Sequence, residues 1–180
     1  MTLTVGVIGI DHRHIFGQLE NMQSRGCICK GWYTDGEPQP MDGFIKRFHN
    51  IPRVPDQQTL LQDPEIDMIL TAGIPSQRAN VALAAMRAGK DVMTDKPGCT
   101  TLEQLAALRA CVAETGRIWS IDFSERFEVP AVTRAAELIA KGAIGTVIQT
   151  VGLGPHRLNL PTRPDWFFDE TAYGLSLIHI

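Results

Sequence analysis

Blocks of like charge, paired cysteine motifs and long apolar runs are all missing from this chain of 180 residues. The formal net charge is only −3 with acids and bases interspersed, which leaves no electrostatic footprint for nucleic acid or for an anionic membrane. No apolar stretch approaches the roughly 20 residues that a bilayer span needs, because Gly, Asp, Arg or Lys interrupts each of them. Cys27, Cys29, Cys99 and Cys111 lack the paired C-x-x-C spacing of a zinc site and are expected to be structural or incidental thiols. With no signal-peptide pattern, a reducing, cytoplasmic setting is expected. These exclusions point to a small-molecule partner, with no nucleic acid and no membrane.

What the sequence does contain is alternation. Residues 2–10 are a near-continuous apolar run, the pattern of a strand buried on both faces, and Gly9 turns it towards a helix expected over 15–22. A second run, 27–33, ends at Thr34-Asp35-Gly36, after which Pro38 and Pro40 break the chain before a helical stretch around 44–48. A short strand is expected over 68–72. Gly73-Ile74-Pro75-Ser76 then opens an alanine-rich helix over 77–88, with Val81, Leu83, Ala84, Ala85 and Ala88 as its inner stripe and Gly89 as a left-handed cap. Residues 91–94 read as the next strand. Thr100-Thr101-Leu102-Glu103 reads as a capping box, the Thr100 hydroxyl and Glu103 carboxylate serving free backbone N–H groups. The helix behind it, with Leu105, Leu108 and Val112 on its packed face, runs to Thr115 and stops at Gly116, and 118–123 returns as a strand.

Such alternation predicts an α/β fold, a doubly wound parallel (Rossmann) sheet over residues 1–123 with right-handed crossovers. Ligands in such sheets bind beyond the carboxyl ends of the strands, so the loops after Gly9, Asp35, Ala72 and Asp95 should converge. A helix over 131–140, a turn at Gly142-Ala143-Ile144-Gly145 and a strand over 146–153 then read as the beginning of an α+β second domain, residues 124–174. One strand and one helix leave that domain incomplete.

A dinucleotide fold needs glycine where strand meets helix, so that the chain turns tightly and the helix offers N–H groups to the pyrophosphate; Gly9 fits. The G-x-G-x-x-G pattern would want glycine where Asp11 and His14 stand. Three outcomes follow: Asp11 caps the helix, His12 or His14 donates to phosphate, or dinucleotide affinity is lost. The His-x-His of His12 and His14 supplies only two metal ligands, with no third partner nearby in sequence, so no metal is expected. Asp35 stands about twenty residues past the turn, where an acid accepts from a ribose 2′-OH and prefers NAD over NADP. Asp35-Gly36 alternatively makes only a turn. Lys30, Lys46 or Arg47 would serve a 2′-phosphate. In Asp95-Lys96-Pro97 the proline disfavours a helical lysine, so the ammonium projects from a sheet end on an extended backbone.

Together, residues 5–17, Gly73-Ile74-Pro75, Ala88-Gly89-Lys90-Asp91-Val92, Asp95-Lys96-Pro97, Arg126-Phe127 and Lys141-Gly142-Ala143-Ile144-Gly145 resemble the Gfo/Idh/MocA oxidoreductases, named for glucose-fructose oxidoreductase and inositol dehydrogenase. The resemblance implies hydride transfer between NAD, with NADP as the alternative, and a sugar, cyclitol or related polyol. It implies that Lys96 lies between nicotinamide and substrate as the catalytic group, with aspartate at Asp95 where the family carries glutamate. The implied cofactor contacts are Gly9, Ile10, Asp11, His12 and His14, then Asp35, then Ala72, Gly73, Ile74 and Pro75, then Asp95, Lys96, Pro97 and Arg126. Relatives assemble through the second domain, so a homo-oligomer is expected of the full-length protein. A non-catalytic dinucleotide sensor of the same fold is the alternative.

Arg163-Pro164-Asp165-Trp166-Phe167-Phe168 and Tyr173-Gly174 resemble the approach to a family segment that supplies an aspartate and a histidine. In its place stand residues 175–180, which match one reading frame of a transposase sequencing adapter and are expected to be an artefactual tail on a truncated, inactive fragment. His179 is then no catalytic histidine.

Overall fold

The computed structural model describes residues 2–127, 129–153 and 159–174; the tail expected at 175–180, with His179, lies outside the described residues. Strand β1, Thr4–Ile8, is the spine of the fold. Its alternating side chains feed two separate cores, as a strand covered on both faces must. Val5 and Val7 join Ile10, Ile15, Leu19, Trp32, Phe44 and Phe48 on one side, while Ile8 joins Leu60, Ile66, Ile69, Ala82, Met86 and Leu108 on the other. Helices therefore line both faces: α1 (His14–Ser24) and α2 (Met41–Arg47) over the first, α3 (Gln57–Leu61), α4 (Pro75–Arg87) and α5 (Leu102–Thr115) over the second.

The remaining strands are β2 (Ile28–Tyr33), β3 (Met68–Thr71), β4 (Asp91–Asp95) and β5 (Trp119–Asp122). All pairings are parallel, in the order β2-β1-β3-β4-β5. One further row lies outside β2, where Trp32 bridges Arg53 in parallel, its N–H donating to Pro52 O at 3.0 Å and its carbonyl accepting from Val54 N–H at 2.9 Å. Counted in chain order with that bridge, the rows run 3-2-1-4-5-6, the dinucleotide-fold order. The chain changes side between β1 and β3, which opens the crevice at their carboxyl ends.

Apart from residues 146–153, the expected strands and major helices form within a few residues of their sequence bounds, and Gly89 and Gly116 take the left-handed conformation at φ +79° and +66°. Three expectations are corrected. The buried stripe of α4 is Arg78, Ala79, Ala82, Ala85 and Met86 with Pro75, while Ala88 is exposed; the inner face is rotated to take in a charged residue. The cap of α5 is shifted by one position: Thr101 Oγ1 accepts from Gln104 N–H at 3.1 Å, and Gln104 Oε1 accepts from Thr100 N–H at 2.8 Å. Residues 146–153 form no strand, and Ile148, Val151 and Leu153 are exposed. An apolar run becomes a strand only where a neighbour offers its backbone groups, and no ladder partner stands beside it among the described residues. The helix before it, α6 (Pro130–Ala140), which follows a single helical turn at Ser124–Phe127, buries none of its residues. Among the described residues no helix is long and apolar enough to cross a membrane.

Phe44 is fully buried between Trp32, Phe16 and Phe48, with ring centroids 4.8–5.9 Å away. Phe44→Ala is expected to cost about 3–5 kcal/mol, the range for a large cavity in a rigid core. Urea unfolding checks this; a midpoint unchanged from the parent would mean that α2 contributes little to the core.

Candidate functional site

Beyond the ends of β1, β2 and β3 the backbone is stitched loop to loop. Gly9 N–H donates to Tyr33 O at 2.8 Å, Ala72 N–H to Gly9 O at 3.1 Å, and His12 N–H to Ala72 O at 2.8 Å. Two buried threonines add to it, Thr34 Oγ1 accepting from Ile10 N–H and Thr71 Oγ1 from Gly73 N–H, both at 3.4 Å. Gly9 has φ +82°, and a Cβ there would lie 2.9 Å from Gly73 Cα, so conformation and contact both demand glycine. The expected convergence of the loops is realised, yet not every expected contact faces the crevice. Ile10 is wholly buried core, and Ala72 is buried with its carbonyl committed to His12. Gly73 and Pro75 are buried where α4 begins, Ile74 is half-buried, and Asp35 and Arg126 are exposed. The Tyr33 hydroxyl donates to Asp35 Oδ1 and orients that carboxylate.

Asp11 does not cap α1. The capping position is Arg13, with no side-chain cap, and the His14 N–H reaches His12 Nδ1 at 3.4 Å instead. The Asp11 carboxyl leans over the third loop, its Oδ2 3.6 Å from where a Gly73 Cβ would stand. Burial pushes the Asp11 carboxyl up to about 6, against the lowering effect of its own backbone N–H and of the Arg78 charge. An acid thus sits where the glycine pattern would leave open backbone.

The fourth loop is governed by a residue that sequence reasoning missed. Arg78 and Asp95 are each 1% exposed and pair through Nη2 and Oδ2 at 3.0 Å. Arg78 Nε donates to Gly73 O at 2.7 Å, and Nη1 to the carbonyls of Asp95, Lys96 and Pro97 at 3.1, 2.7 and 3.2 Å. One guanidinium therefore ties the loop after β3 to the loop after β4. The signal was present: Arg78 sits three residues after Pro75 and four before Ala82, on the buried stripe. Lys96 is half-buried and its peptide bond to Pro97 is cis. Its backbone is held by Arg78, which fixes the point from which the ammonium extends.

Asp95 has a second set of neighbours. His14 Nδ1 lies 2.8 Å from Oδ1 and His12 Nδ1 lies 3.2 Å from Oδ2. Burial alone would raise the Asp95 carboxyl, but the two imidazoles and the Arg78 guanidinium outweigh it and hold it well below the usual carboxylate range. Burial likewise pushes the His12 imidazole down, against the pull of Asp95. Both Asp95 oxygens thus face protein groups, and through them the carboxylate ties the first loop to the fourth. No third partner stands near His12 and His14 in sequence, but the fold brings one in from a distance: Asp95, 81 residues beyond His14, joins them, with ligand atoms of all three within 4.8 Å of one another. The separation in sequence hid it.

Aromatic residues from the far end of the chain cover this cluster. Phe167, 3% exposed, stacks on His12 at 6.2 Å between centroids, and Trp166 meets the same ring at 6.3 Å. Tyr173, on the short helix α7 (Glu170–Tyr173), packs on Phe167 and Trp166 at 4.3 and 5.7 Å.

Residues 44–123 match the model of the Gfo/Idh/MocA oxidoreductase family, NAD-binding Rossmann fold. Levoglucosan dehydrogenase of Pseudarthrobacter phenanthrenivorans is 30% identical over 119 residues, 66% of this chain and 30% of that protein. scyllo-Inositol 2-dehydrogenase (NAD(+)) of Bacillus subtilis is 33% identical over 97 residues, 54% of this chain and 28% of that protein. A crystal structure of a candidate oxidoreductase from Erwinia carotovora atroseptica superposes with a TM-score of 0.91 at 39% identity, over 96% of this chain and 51% of that one. The chain thus spans about half of that structure and under a third of the two curated relatives.

Arg78→Met removes the guanidinium and leaves Asp95 buried without its cation, which is expected to destabilise the fold by about 3–5 kcal/mol. Chemical denaturation reads this directly. A loss under about 1 kcal/mol would mean that the pair behaves like a solvated surface bridge.

Proposed function

We propose, from the premise that this chain belongs to the Gfo/Idh/MocA oxidoreductases, that the intact protein is an NAD(P)-dependent oxidoreductase acting on a sugar, cyclitol or related polyol. The observation that carries the reading is the convergence at the β1/β3 switch point of the Gly9 turn, the Gly73 loop and the Arg78-anchored Lys96. Residues 1–123 are read as the dinucleotide domain and 124–174 as the start of a substrate and oligomerisation domain.

The crevice fits a dinucleotide. A Cβ at Gly9 would collide with Gly73, and an exposed acid, Asp35, stands at the end of β2 where a ribose hydroxyl donates. The Gly9 turn and the Gly73-Ile74 backbone would seat the diphosphate, and Asp35 favours NAD. When bound, the dinucleotide supplies a nicotinamide ring that accepts or gives hydride. Lys96 would donate a hydrogen bond to the reacting substrate oxygen and stabilise the negative charge that this oxygen carries once the hydroxyl proton has been lost and before hydride leaves, or gains as hydride adds to the carbonyl in the reverse direction. Asp11 opposes the diphosphate wherever it is ionised, and the nearby Arg78 charge offsets part of that repulsion.

Two substitutions test the assignment in the intact protein. Lys96→Met is expected to lower kcat on inositols and aldoses by about 100-fold or more while NADH binding, followed by nucleotide fluorescence, stays within about twofold. An unchanged kcat would remove Lys96 from the chemistry, and binding without turnover in the parent would favour the sensor reading. Asp11→Asn is expected to tighten NADH binding about fivefold at neutral pH, the effect of removing about 1 kcal/mol of charge repulsion. Unchanged or weaker binding would mean that Asp11 lies away from the phosphates.

A further inference from the structure

His12 Nδ1 has two neighbours that ask opposite things of it. The His14 backbone N–H donates to it at 3.4 Å, which requires a lone pair on the nitrogen, while Asp95 Oδ2, 3.2 Å away, presents only lone pairs. Asp95 Oδ2 is buried and has no hydrogen-bond partner: Arg78 Nη2 approaches at 3.0 Å as an ion pair, outside hydrogen-bonding geometry. The other oxygen, Oδ1, lies 2.8 Å from His14 Nδ1. Two histidines of the first loop and the buried carboxylate at the end of β4 thus converge on one small volume, with ligand atoms of all three within 4.8 Å of one another.

We propose that His12, His14 and Asp95 bind a divalent transition-metal ion of the zinc type. Two imidazoles and a carboxylate are the donor set that zinc accepts at metal–ligand distances near 2.0–2.2 Å. Such bonds in a tetrahedron set neighbouring ligand atoms about 3.3 Å apart; the histidines stand 3.2 and 2.8 Å from different oxygens of Asp95, and with ligand atoms of all three residues within 4.8 Å of one another the side chains need only turn to present one atom each to the ion. The ion takes the place of the proton shared between His14 and Asp95, which leaves to solvent. Arg78 holds the carboxylate from behind, the role that outer partners play in metal sites. Its positive charge also opposes the ion, so affinity falls below that of a similar site without a neighbouring cation. Phe167 and Trp166 cover the His12 side, whereas the His14 side chain is 35% exposed and leaves a fourth position open to water or to an anionic oxygen. The site stands on the chain's own residues and does not depend on the dinucleotide reading.

The test uses the full chain stripped with EDTA and titrated by calorimetry with zinc, then with cobalt as a spectroscopic probe. Expected are a single ion per chain, visible cobalt bands of tetrahedral type and a zinc-dependent rise in Tm. His12→Ala and His14→Ala, each checked for a folded circular dichroism spectrum, should weaken zinc by about tenfold or more and abolish the cobalt bands. His49→Ala, an exposed histidine outside the cluster, should change none of these. No uptake by the parent overturns the proposal, as does parent-like uptake in both cluster variants. Because the parent titration and its cobalt spectrum stand alone, a variant that fails to fold leaves the result decisive.

Discussion

Everything at the carboxyl edge of the sheet depends on the buried ion pair between Arg78 and Asp95. Removing both charges from water carries a desolvation cost of several kcal/mol each, which their attraction offsets only with good geometry and further hydrogen bonds. Arg78 meets that condition through the carbonyls of Gly73, Asp95, Lys96 and Pro97. Three of those acceptors lie at or just past the end of β4 and the fourth, Gly73, just past β3, where the ladders stop supplying donors. The guanidinium replaces the missing strand neighbours, and the loop carrying Lys96 is thereby fixed from within the fold. Without the pair, Lys96 would sit on an untethered loop.

The same pair explains how the first loop tolerates residues that a glycine-rich turn excludes. Asp95 carries one negative charge and has two oxygens; Arg78 approaches Oδ2, and the histidines of the first loop come to both. The substitution at His14 therefore brings its own support from β4, so the turn after β1 is built on side-chain contacts where a glycine turn relies on open backbone. Asp11 is the contrasting case: burial raises its carboxyl to about 6, and its own backbone N–H and the Arg78 charge offset that only in part.

Most of the α/β frame was legible because period and punctuation are local properties. Both faces of β1 are buried, so its sequence reads as an unbroken apolar run, and Gly116 stops α5 because a left-handed residue is needed there. What escaped is what depends on distant partners. The row at Arg53 is a single bridge with no period to detect. The inner stripe of α4 was misjudged because Arg78 counts as a surface residue until its carbonyl acceptors are known. The α5 cap slipped by one position because Thr100 and Thr101 are equivalent in sequence, and only Gln104 chooses between them. Residues 146–153 have strand composition without a neighbouring ladder. In the site, the Gly9 turn and the loop convergence could be read, but Asp95 as partner to both histidines could not, since 81 residues separate it from His14.

The aromatic segment links these layers. Phe167 and Tyr173 pack together, Phe167 stacks on His12, and Arg163 lies over the outer face of Phe167 at 4.4 Å. A buried aromatic contact of this kind contributes most when both partners are already ordered, because little side-chain freedom is then lost on packing. His12 meets that requirement: its N–H is held by Ala72 O and its ring lies against Asp95. Order therefore passes from the Arg78–Asp95 pair to the histidines, and from the histidines to a segment more than 150 residues further along the chain. Any change that frees Asp95 must loosen that segment as well as the loop that bears Lys96, so stability and site geometry in this crevice are one property and not two.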